Sequence, residues 1–112
     1  MLRPYLSLSL VVTALTLSSI HTEARPALVS CFIPNSRIAG LHTPNSRHLP
    51  IVAHRYLPFG TVVRFSSARA VVDTIVKDRG PYKGKREYDL ECRVLARLGV
   101  DGVGNVDAEV QK

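Results

Sequence analysis

Lys77-Asp78-Arg79-Gly80-Pro81, read with Ala53-His54-Arg55-Tyr56-Leu57-Pro58-Phe59-Gly60-Thr61 upstream, decides what this chain folds into. The β-branched run Ala70 to Val76 leads into Asp78, and Gly80, Pro81 and Gly84 then force a loop. Asp at the start of a turn hydrogen-bonds the backbone two residues on, so the position has a purely structural explanation. A carboxylate on a turn, with an imidazole elsewhere in the fold, is also the minimum equipment for general acid–base chemistry. Asp78 and His54 are the candidates for that role. Alone, a histidine in the setting of His54 is more often a half-buried hydrogen-bonding residue, although its ordinary pKa suits proton transfer.

Outward from these motifs the chain reads as short strands. Ala27 to Phe32 is apolar and opens the series, and Ile33 to Pro50 is broken by Pro34, Gly40, Pro44 and Pro50. Pro-Asn-Ser-Arg occurs at both Pro34–Arg37 and Pro44–Arg47, too few copies for a repeat array, so it is either coincidence or a pair of similar turns. Ile51-Val52-Ala53 is a short strand, and Thr61 to Phe65 and Ala70 to Val76 form a strand–loop–strand unit across Ser66-Ser67-Ala68-Arg69. Arg86 to Asp89 is a further short strand. Leu90, Val94, Leu95 and Leu98 share one face of a helix over Leu90 to Leu98, with Asp89 as its N-cap and Gly99 as its stop. Val106, Ala108 and Val110 alternate with Asp107 and Glu109 in a last strand. About five or six strands this short need closure to protect their edges, so a small barrel follows.

At 112 residues the chain holds one small domain. Residues 1–24 have the layout of a cleaved signal peptide: Arg3 near the start, an uncharged run from Leu6 to Ile20, and Thr22-Glu23-Ala24 as the cleavage site. Residues 25–50 are then an irregular segment with the first strand, and 51–112 the rest of the domain. The formal net charge is +6, and loss of Arg3 and Glu23 leaves it unchanged. No acid lies between Glu23 and Asp73, while Arg25, Arg37, Arg47, Arg55, Arg64 and Arg69 fall there. Such a surface attracts anionic polymers. Export and the lack of a recognition motif argue against nucleic acid.

Cys31 and Cys92 allow three readings. They pair as a disulfide in an oxidising compartment, both stay as buried thiols, or Leu28-Val29-Ser30-Cys31 serves as a lipobox that anchors Cys31 in a membrane. The cysteines and His42, His48 and His54 match no metal-ligand spacing, so neither a metal nor another cofactor is called for.

The segment Ala53 to Thr61, then Lys77-Asp78-Arg79-Gly80-Pro81-Tyr82, then Tyr88-Asp89-Leu90 resembles the rare lipoprotein A family in order and spacing, over about Ile51 to Val110. The resemblance implies a mainly β fold, a small six-stranded double-psi β-barrel with one short helix. It implies an exported monomer, periplasmic, secreted or held at the outer membrane as a lipoprotein, that binds peptidoglycan glycan strands. In catalytic members it implies lytic transglycosylase activity, cleaving between N-acetylmuramic acid and N-acetylglucosamine to leave a 1,6-anhydro end. Carried over by position, Asp78 is the acid/base and His54 the second catalytic residue. Arg79, Tyr82 and Arg55 are substrate-binding candidates, and Tyr56 and Phe59 are further aromatics near the motifs. One departure stands out. The family's T-A-S-G-E-x-F-D segment carries acids, whereas Arg37-Ile38-Ala39-Gly40-Leu41-His42-Thr43 has none. A non-catalytic wall-binding or wall-loosening barrel is therefore the alternative.

Overall fold

Six strands and one helix account for nearly all the regular structure in a computed structural model that describes residues 23–112. The strands are β1 (Arg25–Phe32), β2 (Ile51–Ala53), β3 (Val62–Ser66), β4 (Val71–Asp78), β5 (Tyr88–Glu91) and β6 (Gly104–Val110), and the helix α1 is Cys92–Arg97. The signal-peptide expectation lies on residues 1–22 almost entirely and so falls outside the described residues.

The strands close in the order β1-β5-β2-β4-β3-β6. β1 with β5 and β2 with β4 run parallel, and the remaining neighbours are antiparallel. Closure removes the free edges that short strands would otherwise expose. The mainly β, six-stranded barrel with one short helix is thus the fold expected from the sequence.

Period-two alternation fills the interior. Val63 and Phe65 of β3 and Val106 and Ala108 of β6 are buried, while Arg64, Asn105 and Asp107 between them are exposed. Val29, Val52, Val76 and Leu90 complete the centre, with Val94 and Leu95 of α1 and Leu98 at its C-terminal cap packed on it. Phe65 meets Tyr88 edge-on at 5.0 Å between ring centroids. Full burial of such a side chain contributes about 1.5–3 kcal/mol relative to exposure. Thr74, the fully buried polar residue of this group, satisfies its hydroxyl on the Val63 carbonyl at 2.8 Å.

The helix differs from its expected form. Residues Tyr88 to Glu91 pair with Val29 to Phe32 of β1, so their backbone belongs to the sheet. The helix therefore starts at Cys92, with Glu91 at the cap position and no side-chain cap. Asp89 is not the N-cap; it lies inside β5. Leu90 keeps its buried place, but as a strand residue. Gly99 ends the helix as expected, at φ 82° with its N–H on the Ala96 carbonyl.

The Sγ atoms of Cys31 and Cys92 are bonded, with 4.7 Å between the Cα atoms, which ties the end of β1 to the first turn of α1. The two Pro-Asn-Ser-Arg turns are not alike. Asn35 Oδ1 accepts from the Arg37 N–H, whereas Asn45 brackets Leu49 through both its N–H and its carbonyl.

Candidate functional site

One row of residues crosses four strands. Ala53 of β2 is the register partner of Asp78 on β4 and of Asp89 on β5, and Asp89 in turn is the partner of Ser30 on β1. Residues level with one another in neighbouring strands face the same side of a sheet. Two strand spacings put the Asp78 and Asp89 backbones about 10 Å apart. Asp78 reaches its place through an irregularity: Val52 pairs with Val76 and Ala53 with Asp78, so Lys77 is an extra residue in β4. A bulge of this kind re-aims the side chain next to it.

Asp78 is the last residue of β4 rather than part of a free turn. Its Oδ1 accepts from the Arg79 N–H at 2.9 Å and the Ala39 N–H at 3.2 Å. Asp89 is half-buried, and its Oδ1 accepts from Ser30 Oγ at 3.0 Å. Burial pushes the Asp89 carboxyl above the ordinary carboxylate range, and the charge of Asp78 pushes it further, against the Ser30 hydrogen bond and Arg86. The row thus carries two carboxyl groups in different surroundings, and burial makes Asp89 the one that holds its proton more firmly than an exposed carboxyl.

His54 follows β2 and is buried. Its backbone N–H donates to the Asp78 carbonyl at 3.2 Å, which fixes the histidine against the strand that carries the carboxylate. Nδ1 accepts from the N–H groups of Tyr56 and Leu57 at 3.2 and 3.1 Å. That nitrogen is committed as an acceptor, so the neutral ring carries its proton on Nε2. Burial lowers the His54 pKa, and the charges of Arg55, Arg79 and Arg25 lower it further against an opposing Glu87. The ring lies edge-on to Tyr56 at 4.6 Å and tilted to Tyr88 at 4.8 Å. No hydrogen bond joins the His54 imidazole to the Asp78 carboxylate among the described residues.

The arginines read as substrate contacts are engaged within the protein. Arg79 Nη1 donates to the carbonyls of Leu57 at 2.8 Å and His54 at 3.3 Å, and its guanidinium lies 3.9 Å over the Phe59 ring. Arg55 Nε donates to the Pro81 carbonyl at 2.9 Å and its Nη2 to the Arg86 carbonyl at 2.7 Å. Phe59 is thereby occupied as well. Tyr82 and Tyr56 are different: they are 74% and 77% exposed, free to meet a ligand. They adjoin Pro81 and Arg55, the two ends of one of these hydrogen bonds. Lys83 and Lys85 are exposed on the same loop as Tyr82.

The site residue missed in the sequence is Asp89. Its signal was present: Tyr88 and Leu90 are apolar on either side, and strand alternation turns the residue between them away from the core. Helix capping offered an equally local explanation and displaced it. Among the described residues, no group of three or more His, Cys, Asp and Glu is arranged to hold a metal ion. An open hollow of about 340 Å³ lies away from this row, lined by Phe32, Ile33, Pro34, Glu91, Cys92 and Arg93.

No family model matches the chain. Curated relatives do. The chain is 41% identical over 69 residues to a protein of Aquifex aeolicus named "Probable endolytic peptidoglycan transglycosylase RlpA", a match covering 58% of this chain and 30% of the relative. Proteins of the same name from Synechocystis and Nostoc are 40% and 44% identical over 62 and 63 residues, each match covering 52% of this chain but only 19% and 17% of the relative. The chain thus spans less than a third of the length of the curated relatives it matches. With a closed six-stranded barrel and this level of identity in three relatives, the chain is RlpA-like over the part that matches.

Proposed function

We infer that this protein cleaves peptidoglycan glycan strands as a lytic transglycosylase. The observation that carries the reading is the row Ser30–Asp89–Ala53–Asp78, which sets two coupled carboxyl groups on one side of the barrel. The names of the similar proteins support the substrate, and the resemblance in motif order supports the reaction.

The resemblance alone assigns acid and base to Asp78; we divide the two roles between the carboxyl groups of the row. Asp89, whose proton burial holds more firmly than an exposed carboxyl would, donates it to the glycosidic oxygen between N-acetylmuramic acid and N-acetylglucosamine, and the C1–O bond breaks. The muramic acid C6 hydroxyl then attacks C1, and Asp78 takes the hydroxyl proton. The product is a 1,6-anhydro end, formed without water. Division between an acid and a base whose environments differ is the usual logic of glycosidic cleavage. His54 acts as a positioning residue through its N–H on the Asp78 carbonyl and its capped ring. Tyr56 and Tyr82 offer aromatic faces to sugar rings, and Lys83 and Lys85 offer positive charge to the anionic polymer. The Cys31–Cys92 bond fits an exported protein, as periplasmic or secreted action on the wall requires.

Digestion of purified sacculi by the full chain, read by mass spectrometry, tests this. The expected products carry 1,6-anhydro ends, and Asp78→Asn and Asp89→Asn each suppress them. Folded protein that yields no such ends overturns the reading.

A second reading rests on Leu41. It stands half-exposed in the segment where the family carries acids, so this face of the site lacks that charge. In that reading the barrel binds wall glycan without cutting it. Retention on insoluble peptidoglycan, with no change in its glycan ends, is the expected result.

A further inference from the structure

Lys77 is an unusual residue to find buried beside a candidate catalytic carboxylate. It is only 8% exposed, and a buried ammonium needs a partner to offset the loss of water. Its Nζ donates to the Leu41 carbonyl at 3.2 Å. As the extra residue of the β4 bulge, Lys77 has no partner in β2, so its own carbonyl is free to accept from the Gly40 N–H at 2.6 Å. One residue thus grips the loop before β2 from both ends, main chain to Gly40 and side chain to Leu41. The approach is so close that a Cβ on Gly40 would stand 2.7 Å from the Lys77 carbonyl oxygen.

That grip has a product. Ala39, next to Gly40, donates its N–H to Asp78 Oδ1. The donor is a main-chain group that no residue type announces, and it sits in the very segment that lacks acids. The bulge therefore acts on Asp78 twice: it turns the side chain, and through Lys77 it brings a second hydrogen-bond donor to the carboxylate.

We propose that Lys77 is a positioning residue, which docks the loop Ile38–Leu41 so that the Ala39 N–H fixes the orientation of the Asp78 carboxylate. The inference rests on the reading of Asp78 as a catalytic group, but its geometry does not depend on that reading. A carboxylate held by two backbone donors presents its other oxygen in one direction, whereas one donor leaves it free to swing.

The test uses the full chain with Lys77→Met, which keeps the apolar stem, Lys77→Arg, which keeps the charge, and Gly40→Ala, which crowds the Lys77 carbonyl. Amide NMR gives the decisive readout. In the unaltered protein the Ala39 N–H resonance is expected to follow titration of the Asp78 carboxyl, and Asp78→Asn to abolish that response. Lys77→Met and Gly40→Ala are expected to abolish it too and to speed Ala39 hydrogen exchange about tenfold, with Lys77→Arg close to the unaltered protein. In the sacculus assay, Lys77→Met lowers turnover about tenfold with little change in the substrate concentration needed. If the Ala39 resonance keeps its response in both Lys77→Met and Gly40→Ala, the proposal is overturned. If the unaltered protein shows the amide response but releases no anhydro ends, the reading of the reaction fails and the role of Lys77 stands.

Discussion

Arg55 and Arg79 cross between two loops, each closing the loop that the other comes from. Arg55, in the segment after β2, holds Pro81 and Arg86; Arg79, in the segment after β4, holds His54 and Leu57. Arg55 spreads two guanidinium nitrogens, Nε and Nη2, over two carbonyls, whereas Arg79 places one, Nη1, on both of its carbonyls while its planar group stacks on Phe59. A lysine ammonium has no planar face to stack in that way.

Arg79→Lys is therefore expected to destabilise nearly as much as Arg79→Met. Loss of two charge-assisted hydrogen bonds and the stack on Phe59 costs about 2–3 kcal/mol, read as a lower urea midpoint. Full stability in Arg79→Lys would mean that the planar stack on Phe59 does not matter.

Asp89→Asn should move activity and stability in opposite directions. The folded protein raises the Asp89 pKa, so the unfolded chain releases its proton more readily. Native stability from this group is complete below the ordinary carboxylate value of about 4 and is lost as pH rises through the folded value. An uncharged amide has no such penalty. At pH 7 the variant should show a higher urea midpoint and at least about 100-fold less release of anhydro ends. A fall in both would place Asp89 among the structural residues.

His54 gives the opposite slope with pH. Its folded pKa lies below the ordinary value of about 6.5, so the unfolded chain binds the proton first as the solution is acidified. Stability is complete above that value and falls below it. His54→Ala also strands the Tyr56 and Leu57 N–H groups, at a cost of about 2 kcal/mol at pH 7. Urea titrations at pH 5 and 7 should show the gap between variant and parent shrinking at the lower pH.

Reduction of the Cys31–Cys92 bond frees a loop with a sequence separation of 61. In the chain-entropy account this costs about 4 kcal/mol, a large part of the stability of so small a domain. The expected outcome is a steep fall in the thermal midpoint with reductant, and the same fall in Cys31→Ser/Cys92→Ser.

Strand periodicity was the legible part of this fold. Val63 and Phe65, then Val106 and Ala108, announced their faces because burial on one side of a sheet repeats every second residue. The pairing of β1 with β5 was not legible, since partners 59 residues apart leave no local trace, and this is what turned Asp89 from a cap into a member of the row. The same holds for the donors around Asp78. The sequence marks the carboxylate through Gly80 and Pro81, but an Ala39 N–H carries no signature. The resemblance marked Arg55 and Arg79 as substrate-binding candidates, and in the fold both donate to its own carbonyls.

The separation of Asp78 and Asp89 is set by β2, a strand of only three residues whose main chain lies between them. Their spacing is therefore a ruler made of backbone hydrogen bonds, with no side chain serving as the spacer. Substitutions inside the barrel, at Phe65 for example, can alter how often the protein is folded while leaving the same backbone ladder between the two residues in each folded molecule. Selection can then tune durability and chemistry on separate residues.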